Sequence, residues 1–388
     1  MFSEEIKEYG LSIGYDKIGI TSVDSLSGYA DEVISRGDQY SYFLKMLTKP
    51  VQQNMPEAKS IIVLVRGYFN YDVPEALSKM IGKIYLARCY SPPLGTLDHS
   101  RFQLMKDYLS QKGCMVNSNI FVPARWAAAQ AGITTFGRNN FAYADGIGSY
   151  IVIDTIVVDA ELEYDRPTME NKCPPDCRAC INSCPTKALY EPFKLNPSQC
   201  IAFNNFMTQD GRGAVSSLIP YELRKSMGCK IHGCDVCQDV CPRNQKKRKQ
   251  PKEADRYLEQ IAPDITLSAI LNMSDDYFEK RIRPMMYNYI NDKRYFIRNA
   301  AIAMGNSQDA NYVHDLEIAL GNPDAMIRES VVWALGQIGG AYVNHALESR
   351  LLRESSDDVK QAIVQALDQS KQYTGEKGGH YAGDDSQG

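Results

Sequence analysis

Nine of the eleven cysteines in this chain lie from Cys173 to Cys241, and eight of them, all but Cys229, stand at spacings that suit thiolates gathered around iron and sulfide. The first run reads Cys173-Pro-Pro-Asp-Cys177-Arg-Ala-Cys180-Ile-Asn-Ser-Cys184-Pro. The second is Cys200, then Cys234-Asp-Val-Cys237-Gln-Asp-Val-Cys241-Pro. A Cys-x2-Cys-x3-Cys-Pro run binds paired 4Fe–4S clusters, the last cysteine of each run crossing to the other cluster. Crossing assigns Cys173, Cys177, Cys180 and Cys241 to cluster one, and Cys200, Cys234, Cys237 and Cys184 to cluster two. Such a centre moves electrons one at a time, and the open question is what receives them. Four thiolates also suit zinc, but a zinc site needs neither the three-cysteine run nor the proline after it. Purely structural clusters are the other alternative, because burial and hydrogen bonds to sulfur set the potential. Three residues, not two, separate Cys173 from Cys177, which lengthens that loop by one. Cys89, Cys114 and Cys229 fall outside the pattern and read as core or surface thiols.

Composition bounds the rest. At 388 residues the chain has room for two or three domains, and its formal charge of −4 carries no basic excess that would advertise nucleic acid. The N-terminal Met-Phe-Ser-Glu-Glu-Ile-Lys has no apolar signal region, and no apolar stretch reaches membrane-spanning length. With reduced thiolate ligands, this predicts a cytoplasmic protein.

The cysteines must be carried by something. Residues 4–13 predict a helix, and Tyr15 to Ser22 a short strand. Ser60-Ile-Ile-Val-Leu-Val-Arg-Gly67 predicts a buried strand, Arg101 to Leu109 a helix, and alanine-rich Arg125 to Ala131 a close-packed helix. Tyr150-Ile-Val-Ile-Asp-Thr-Ile-Val-Val158 predicts a central β-branched strand. Alternation of helix and strand makes residues 1–165 an α/β domain. Residues 166–250 have little apolar periodicity, so the clusters would serve as their core, and Lys246 to Lys249 with Pro251 reads as a linker. Residues 255–370 are helical. Phe296-Ile-Arg-Asn-Ala-Ala-Ile-Ala-Met-Gly305 is echoed by Met326-Ile-Arg-Glu-Ser-Val-Val-Trp-Ala-Leu-Gly336, and more weakly by Val359 to Leu367. A period near thirty residues predicts stacked helix pairs of the HEAT type. The tail, residues 371–388, has the composition of a disordered segment.

The order of an α/β domain, a double-cluster insert and HEAT-like helices resembles the epoxyqueuosine reductase family, cobalamin-dependent enzymes of tRNA modification related to the reductive dehalogenases. The resemblance spans nearly the whole chain except the tail. It rests on Leu11 to Ile20, Pro56 to Leu64, Arg125 to Gly132 with Gly137-Arg138-Asn139, Gly148-Ser149, the cysteines, and Phe296 to Asn306. It implies a nitroreductase-like fold in the α/β domain, with bound cobalamin that accepts electrons from the nearer cluster. By the same resemblance Arg125, Gly137, Arg138, Asn139, Gly148 and Ser149 surround the corrinoid. Glycines there suit the close approach of a flat, bulky cofactor, although turns and caps use the same residues. The implied reaction is reduction of epoxide to alkene in queuosine biosynthesis. The implied partners are a low-potential ferredoxin- or flavodoxin-like donor and tRNA.

The match breaks where the family carries its proton donor. That aspartate stands seven residues before the arginine matching Arg125, a position held here by Ser118. A serine hydroxyl is a poor general acid near neutral pH. The family's Asp-Tyr-His stretch is altered to Leu97-Asp98-His99, after extra residues around Ser91 to Gly95. Replacement donors are Tyr90 and His99, then Asp98 and Tyr143, although residues of each type more often serve as packing or surface residues. A divergent paralogue that reduces another small molecule, as reductive dehalogenases do, fits this loss. So does a non-catalytic electron-transfer or corrinoid-activating protein. Lys280, Arg281, Arg283, Lys293, Arg294 and Arg298, with Lys246 to Lys249, are candidates for tRNA phosphate contacts, or equally for solvated helix faces.

Overall fold

The computed structural model describes residues 2–37, 40, 50–168, 170–206, 218–287 and 292–377. Its first layer is a sheet of β1 (Lys17–Ser22), β2 (Ser60–Gly67), β3 (Val116–Asn117) and β4 (Ile151–Val158), in the order β1-β2-β4-β3. β2 is apolar along its length because both of its faces are covered. Ile62 and Leu64 pack with Ile6 of α1 (Phe2–Ser12) and with Met105 and Leu109 of α2 (Leu97–Gln111). Ile61 and Val63 turn to the other face, against Ala127 and Ala128 of α3 (Ala124–Gln130). This two-residue alternation splits β4 as well, with Ile156 and Val158 on the first face and Val157 on the second. Alternating helices and strands usually accompany a parallel sheet. Here all three ladders are antiparallel, so the layering is α/β while the strand pairing is not of the βαβ kind.

The cysteine segment is built of short turns and single-turn helices, as its sequence predicts. Its own core is small: Cys180, Ile181 and Leu189, with Cys184, Leu195 and Cys237 at the edge. Ile219, Leu223 and Met227, two of them on α4 (Tyr221–Met227), instead join the core of the C-terminal helices. The basic run expected as a linker is a short helix, Gln245–Lys249. Arg248 Nε lies 3.6 Å from Asp239 Oδ1, and Lys247 Nζ donates to Asn70 Oδ1 at 3.0 Å. Those contacts make the run a joint between segments.

The C-terminal helices are α5 (Arg294–Ser307), α6 (Val313–Ala319), α7 (Ala325–Ile338), α8 (Ala341–Leu351) and α9 (Asp357–Lys377). The echoed sequences are α5 and α7, and the weaker third copy is α9; α5 packs on α7, and α7 on α9. Glycine is required at the crossings. A Cβ at Gly305 would stand 2.7 Å from Ala334 Cα, and one at Gly336 would stand 2.8 Å from Ala366 Cβ. The repeat thus places a glycine of each inner helix against an alanine of the next, which brings the axes close. α9 continues beyond Lys371 to Lys377, and residues 378–388 lie outside the described residues. Among the described residues no helix is long and apolar enough to cross a membrane.

Candidate functional site

Cys173, Cys177, Cys180 and Cys241 line one cavity of about 300 Å³, together with Arg138, Asn139, Tyr143 and Arg243. These are the four thiols that the crossed pattern assigns to cluster one. Burial pushes the Cys180 thiol up to about 11, and the neighbouring Cys241, Cys173 and Cys177 add to the shift. The second set associates in the same way. Burial raises Cys200, with Cys184 adding to it, and takes Cys234 to about 11, with Cys200 adding to it. Cys237 rises well above its ordinary value through burial, then through Cys200 and Cys234, and Cys180 also acts on it. Cys180 and Cys237 therefore mark where the two sets adjoin.

The raised thiols of Cys180, Cys200, Cys234 and Cys237 resist ionisation when bare, and metal coordination would hold them as thiolates. Among the described residues no three His, Cys, Asp or Glu side chains converge on a point where one ion would sit. Thiols spread around a cavity suit a cube of iron and sulfide; zinc needs four sulfurs at about 2.3 Å. The surroundings fit the cube too. Arg138 Nε and Arg243 Nη1 are buried with no hydrogen-bond partner among the described residues, and both side chains line this cavity.

The residues singled out as a corrinoid cradle form the seam between the α/β layer and the cysteine segment. Arg138 Nη1 donates to Cys177 O at 2.8 Å, and Asn139 Nδ2 donates to Cys237 O at 3.0 Å and to Tyr143 Oη at 2.9 Å. Ser149 N donates to Asn244 Oδ1 at 2.9 Å, and Ser149 Oγ accepts from Asn244 Nδ2 at 2.8 Å and Gln238 Nε2 at 2.9 Å. A Cβ at Gly148 would stand 2.3 Å from Asn244 Oδ1, and φ there is +82°, so this position needs glycine for close approach. Gly137 is tight as well, its missing Cβ 2.3 Å from the Tyr143 ring. Arg125 stands apart from the seam; its Nη1 donates to Asn140 O, and Arg36 Nη1 donates to Asn140 Oδ1 at 3.2 Å. Asn140 Nδ2 is buried with no partner among the described residues.

The catalytic candidates occupy several places. Asp98, in the first turn of α2, accepts from Arg66 Nη1 at 2.7 Å and from Arg101 Nη1 at 3.1 Å. It lines a wide cleft of about 1500 Å³ with Arg66, Phe69, Lys83, Arg88, Asp255 and others. Two guanidinium partners commit this carboxylate to accepting hydrogen bonds. His99 follows it, its backbone N–H capped by Thr96 Oγ1 at 3.3 Å. Tyr90 is half-exposed, its ring 5.4 Å from that of Tyr85, and burial pushes its hydroxyl up. Ser118 follows the edge strand β3, and no carboxylate occurs between Cys114 and Arg125. Tyr143 does not stand among these candidates. Its Oη donates to Cys241 Sγ at 3.1 Å, which turns it towards the cysteine segment.

The basic surface is largely spoken for. Arg298 is buried, and its Nη2 donates to Asn204 O at 2.9 Å and Asn205 O at 3.0 Å, locking α5 to the segment after Cys200. Lys280, Arg281, Arg283, Lys293 and Arg294 each pair with a neighbouring aspartate or glutamate. Their charge is balanced locally. Sequence reading missed Gln238, Arg243 and Asn244, which lock the seam. The available signal was their position beside Cys237 and the Cys241-Pro turn, where polar side chains have sulfur or backbone to serve.

Comparison with known proteins agrees with this arrangement. Residues 172–244 match the 4Fe-4S double cluster binding domain family, and residues 288–368 match HEAT repeats. Epoxyqueuosine reductase of Bacillus subtilis (strain 168) is 27% identical over 379 residues, covering 94% of this chain and 95% of that protein. The Escherichia coli (strain K12) epoxyqueuosine reductase is 27% identical over 352 residues, covering 86% and 89%. A crystal structure of epoxyqueuosine reductase with an epoxyqueuosine-modified tRNA-Tyr stem loop superimposes with a TM-score of 0.80 at 25% identity, covering 95% of this chain and 99% of that one. With two cluster-binding thiol sets between an α/β layer and HEAT repeats, and relatives of the same extent, the chain is an iron–sulfur oxidoreductase that resembles the epoxyqueuosine reductases over nearly its whole length.

Proposed function

We propose that this protein reduces epoxyqueuosine in tRNA to queuosine, with two 4Fe–4S clusters and cobalamin as cofactors and a low-potential ferredoxin- or flavodoxin-like protein as donor. The observation that carries this reading is the end-to-end match of all three parts to proteins of that activity, including one solved with the modified stem loop. Asn140 supports a corrinoid. Its buried Nδ2, without a partner among the described residues and beside Arg125 and Arg36, suits the carbonyl acceptors around a corrin rim. Arg125, Asn140 and the neighbouring Gly137 are the residues that would hold it, on a nitroreductase-like layer. When bound, cobalamin supplies a low-potential nucleophilic centre for reduction at carbon.

The chain's own residues supply placement and protons. The seam of Arg138, Asn139, Gly148 and Ser149 fixes the cysteine segment against the α/β layer, so that electrons have a short, rigid path. Arg66 and Arg101 occupy both oxygens of Asp98 at the wall of the large cleft, where the carboxylate can orient donors. The departing oxygen of an epoxide needs a proton. We assign that role to the His99 imidazole ahead of Tyr90, since general acid work in enzymes falls most often to histidine.

Ser118 in place of the family's acid favours a second reading, a paralogue that reduces another electrophilic small molecule. One experiment separates the two. Anaerobically purified protein, reconstituted with iron, sulfide and cobalamin, is given an epoxyqueuosine-modified tRNA stem loop and a low-potential reductant. Queuosine formation is the expected outcome. Fully loaded protein that converts none would remove the first reading and leave the second.

A further inference from the structure

The two thiol sets sit in different electrical surroundings. Around cluster one the neighbours are donors and cations. Tyr143 Oη donates to Cys241 Sγ at 3.1 Å. The Arg243 guanidinium lies 4.1 Å from the centre of the Tyr143 ring; its Nη2 is anchored on Thr135 Oγ1 at 2.7 Å, while its Nη1 is buried and unpaired among the described residues. Arg138 is anchored on Cys177 O by Nη1, and its Nε is likewise buried and unpaired. Both arginines border the cavity that the four thiols line.

Beside cluster two stands a buried carboxylate. Asp235 lies between ligands Cys234 and Cys237, is buried, and is held by Lys83, whose N and Nζ donate to it at 2.8 and 3.3 Å. It bears on both cysteines, and Lys230 offsets it only in part at Cys234. Among the described residues Thr186 Oγ1 lies 3.8 Å from Cys184 Sγ, and the other donors to these sulfurs are neutral backbone N–H groups, of Phe203 and Ala202 at Cys200 and of Val236 at Cys234.

A reduced cluster carries one more negative charge than an oxidised one. Donors and cations near sulfur stabilise the reduced form and raise the potential; a buried carboxylate lowers it. We propose that Tyr143, Arg138 and Arg243 are tuning residues that set cluster one at a higher potential than cluster two. An electron from an external low-potential donor then passes from reduced cluster two to oxidised cluster one, on the side facing the α/β layer. The inference rests on the double-cluster reading and is independent of the substrate.

The test is a redox titration of the full-length, anaerobically reconstituted protein followed by electron paramagnetic resonance, without cobalamin or substrate. The wild type should show two reductions. Tyr143→Phe removes one O–H···S bond, and Arg243→Gln removes the cation beside it. Each should lower the higher-potential step, by up to about tenfold in the reduced-to-oxidised ratio at fixed poise (about 59 mV for one electron), and leave the lower step in place. Iron content should match the wild type. Iron-replete variants whose upper step stays put, or whose lower step moves instead, would overturn the proposal. Should Tyr143→Phe lose iron, Arg243→Gln decides. A wild type that binds fewer than two clusters would sink the double-cluster reading itself, a distinct result.

Discussion

Between Cys173 and Cys241 the chain buries few apolar side chains of its own, and its local core is three residues with thiols at the edge. From α5 to α9 the inner faces are apolar or small, from Phe296 and Ile302 through Val331 and Leu335 to Ile363. The first region is arranged around groups that must bind metal; the second is arranged around itself. One is a device whose fold depends on its cargo, and the other is a scaffold whose fold depends on close packing. They meet at a buried polar joint. Arg298 and Asn299 of α5 bond the backbone of Asn205, and Asn299 also bonds that of Ile231. Arg224 of α4 reaches Glu329 of α7 at 2.9 Å. The scaffold thereby holds the loops that carry Cys200 and Cys234.

If the metal is the core of the cysteine segment, removing one ligand should break that region and spare the other. Cys241→Ala is expected to cost the protein about half of its iron, since the crossed pattern gives the residue to one cluster of two. Tyr143 and Asn139 lose their seating with it, so segment 170–249 should become protease-sensitive while helices 294–369 resist. Iron analysis and limited proteolysis read both results. Full iron retention would show that Cys241 is not a ligand, and loss of both regions together would erase the contrast drawn above.

The joint itself can be cut next. Arg224 and Glu329 are both buried, with side-chain exposures of 0% and 2%, and Arg224 stacks 4.2 Å from the centre of the Tyr221 ring. Arg224→Met leaves the buried Glu329 carboxyl without its ion-pair partner, which costs about 3–5 kcal/mol. Replacing both, as Arg224→Met with Glu329→Leu, should restore most of that loss, because two apolar groups need no partner. Denaturant melts of the three proteins check the order. A single variant as stable as the wild type would mean the ion pair contributes nothing to the joint.

Much of this contrast was legible in the sequence, and for physical reasons. Thiolate ligands need fixed spacing, so the cysteine runs announced the double cluster directly. Ser60 to Gly67 announced a buried strand because only a two-sided burial tolerates such a run. The stack showed through its repeat, since Gly305 and Gly336 must each face the next helix closely. Other parts were illegible because they depend on pairing across long sequence distances. Nothing in Arg298 says that it docks on Asn205 and not on a phosphate. Tyr143 looked like a proton donor to substrate until the fold set it on Cys241. The antiparallel ladders are likewise a product of connections whose course periodicity does not encode.

The smallest expected effect lies inside the scaffold. Glu354 is enclosed by Arg328, whose Nη2 and Nε donate at 2.6 and 2.9 Å, and by Arg350, whose Nη2 donates at 2.6 Å. Two backbone N–H groups, of Ser355 and Ser356, add to the cage. Arg328 first, then the Ser356 N–H and Arg350, pull its carboxyl down to about 2 from an ordinary value of 4.5. The folded value lies below the unfolded one, so the cage stabilises the fold fully above about pH 4.5. As pH falls from there towards 2 the unfolded chain takes up the proton first, and that stability drains away. Over the first pH unit below 4.5 the loss should be on the order of 1 kcal/mol. Melting of wild type and Glu354→Gln, followed through Trp333 fluorescence in a Trp126→Phe background, should show a gap that narrows with acid. A gap that stays constant would place the carboxylate outside the scaffold's energetics. A scaffold that holds to pH 4 after the iron signal has gone would put the difference between the two regions beyond mere proximity: the packed stack needs no cargo, and the cysteine segment does.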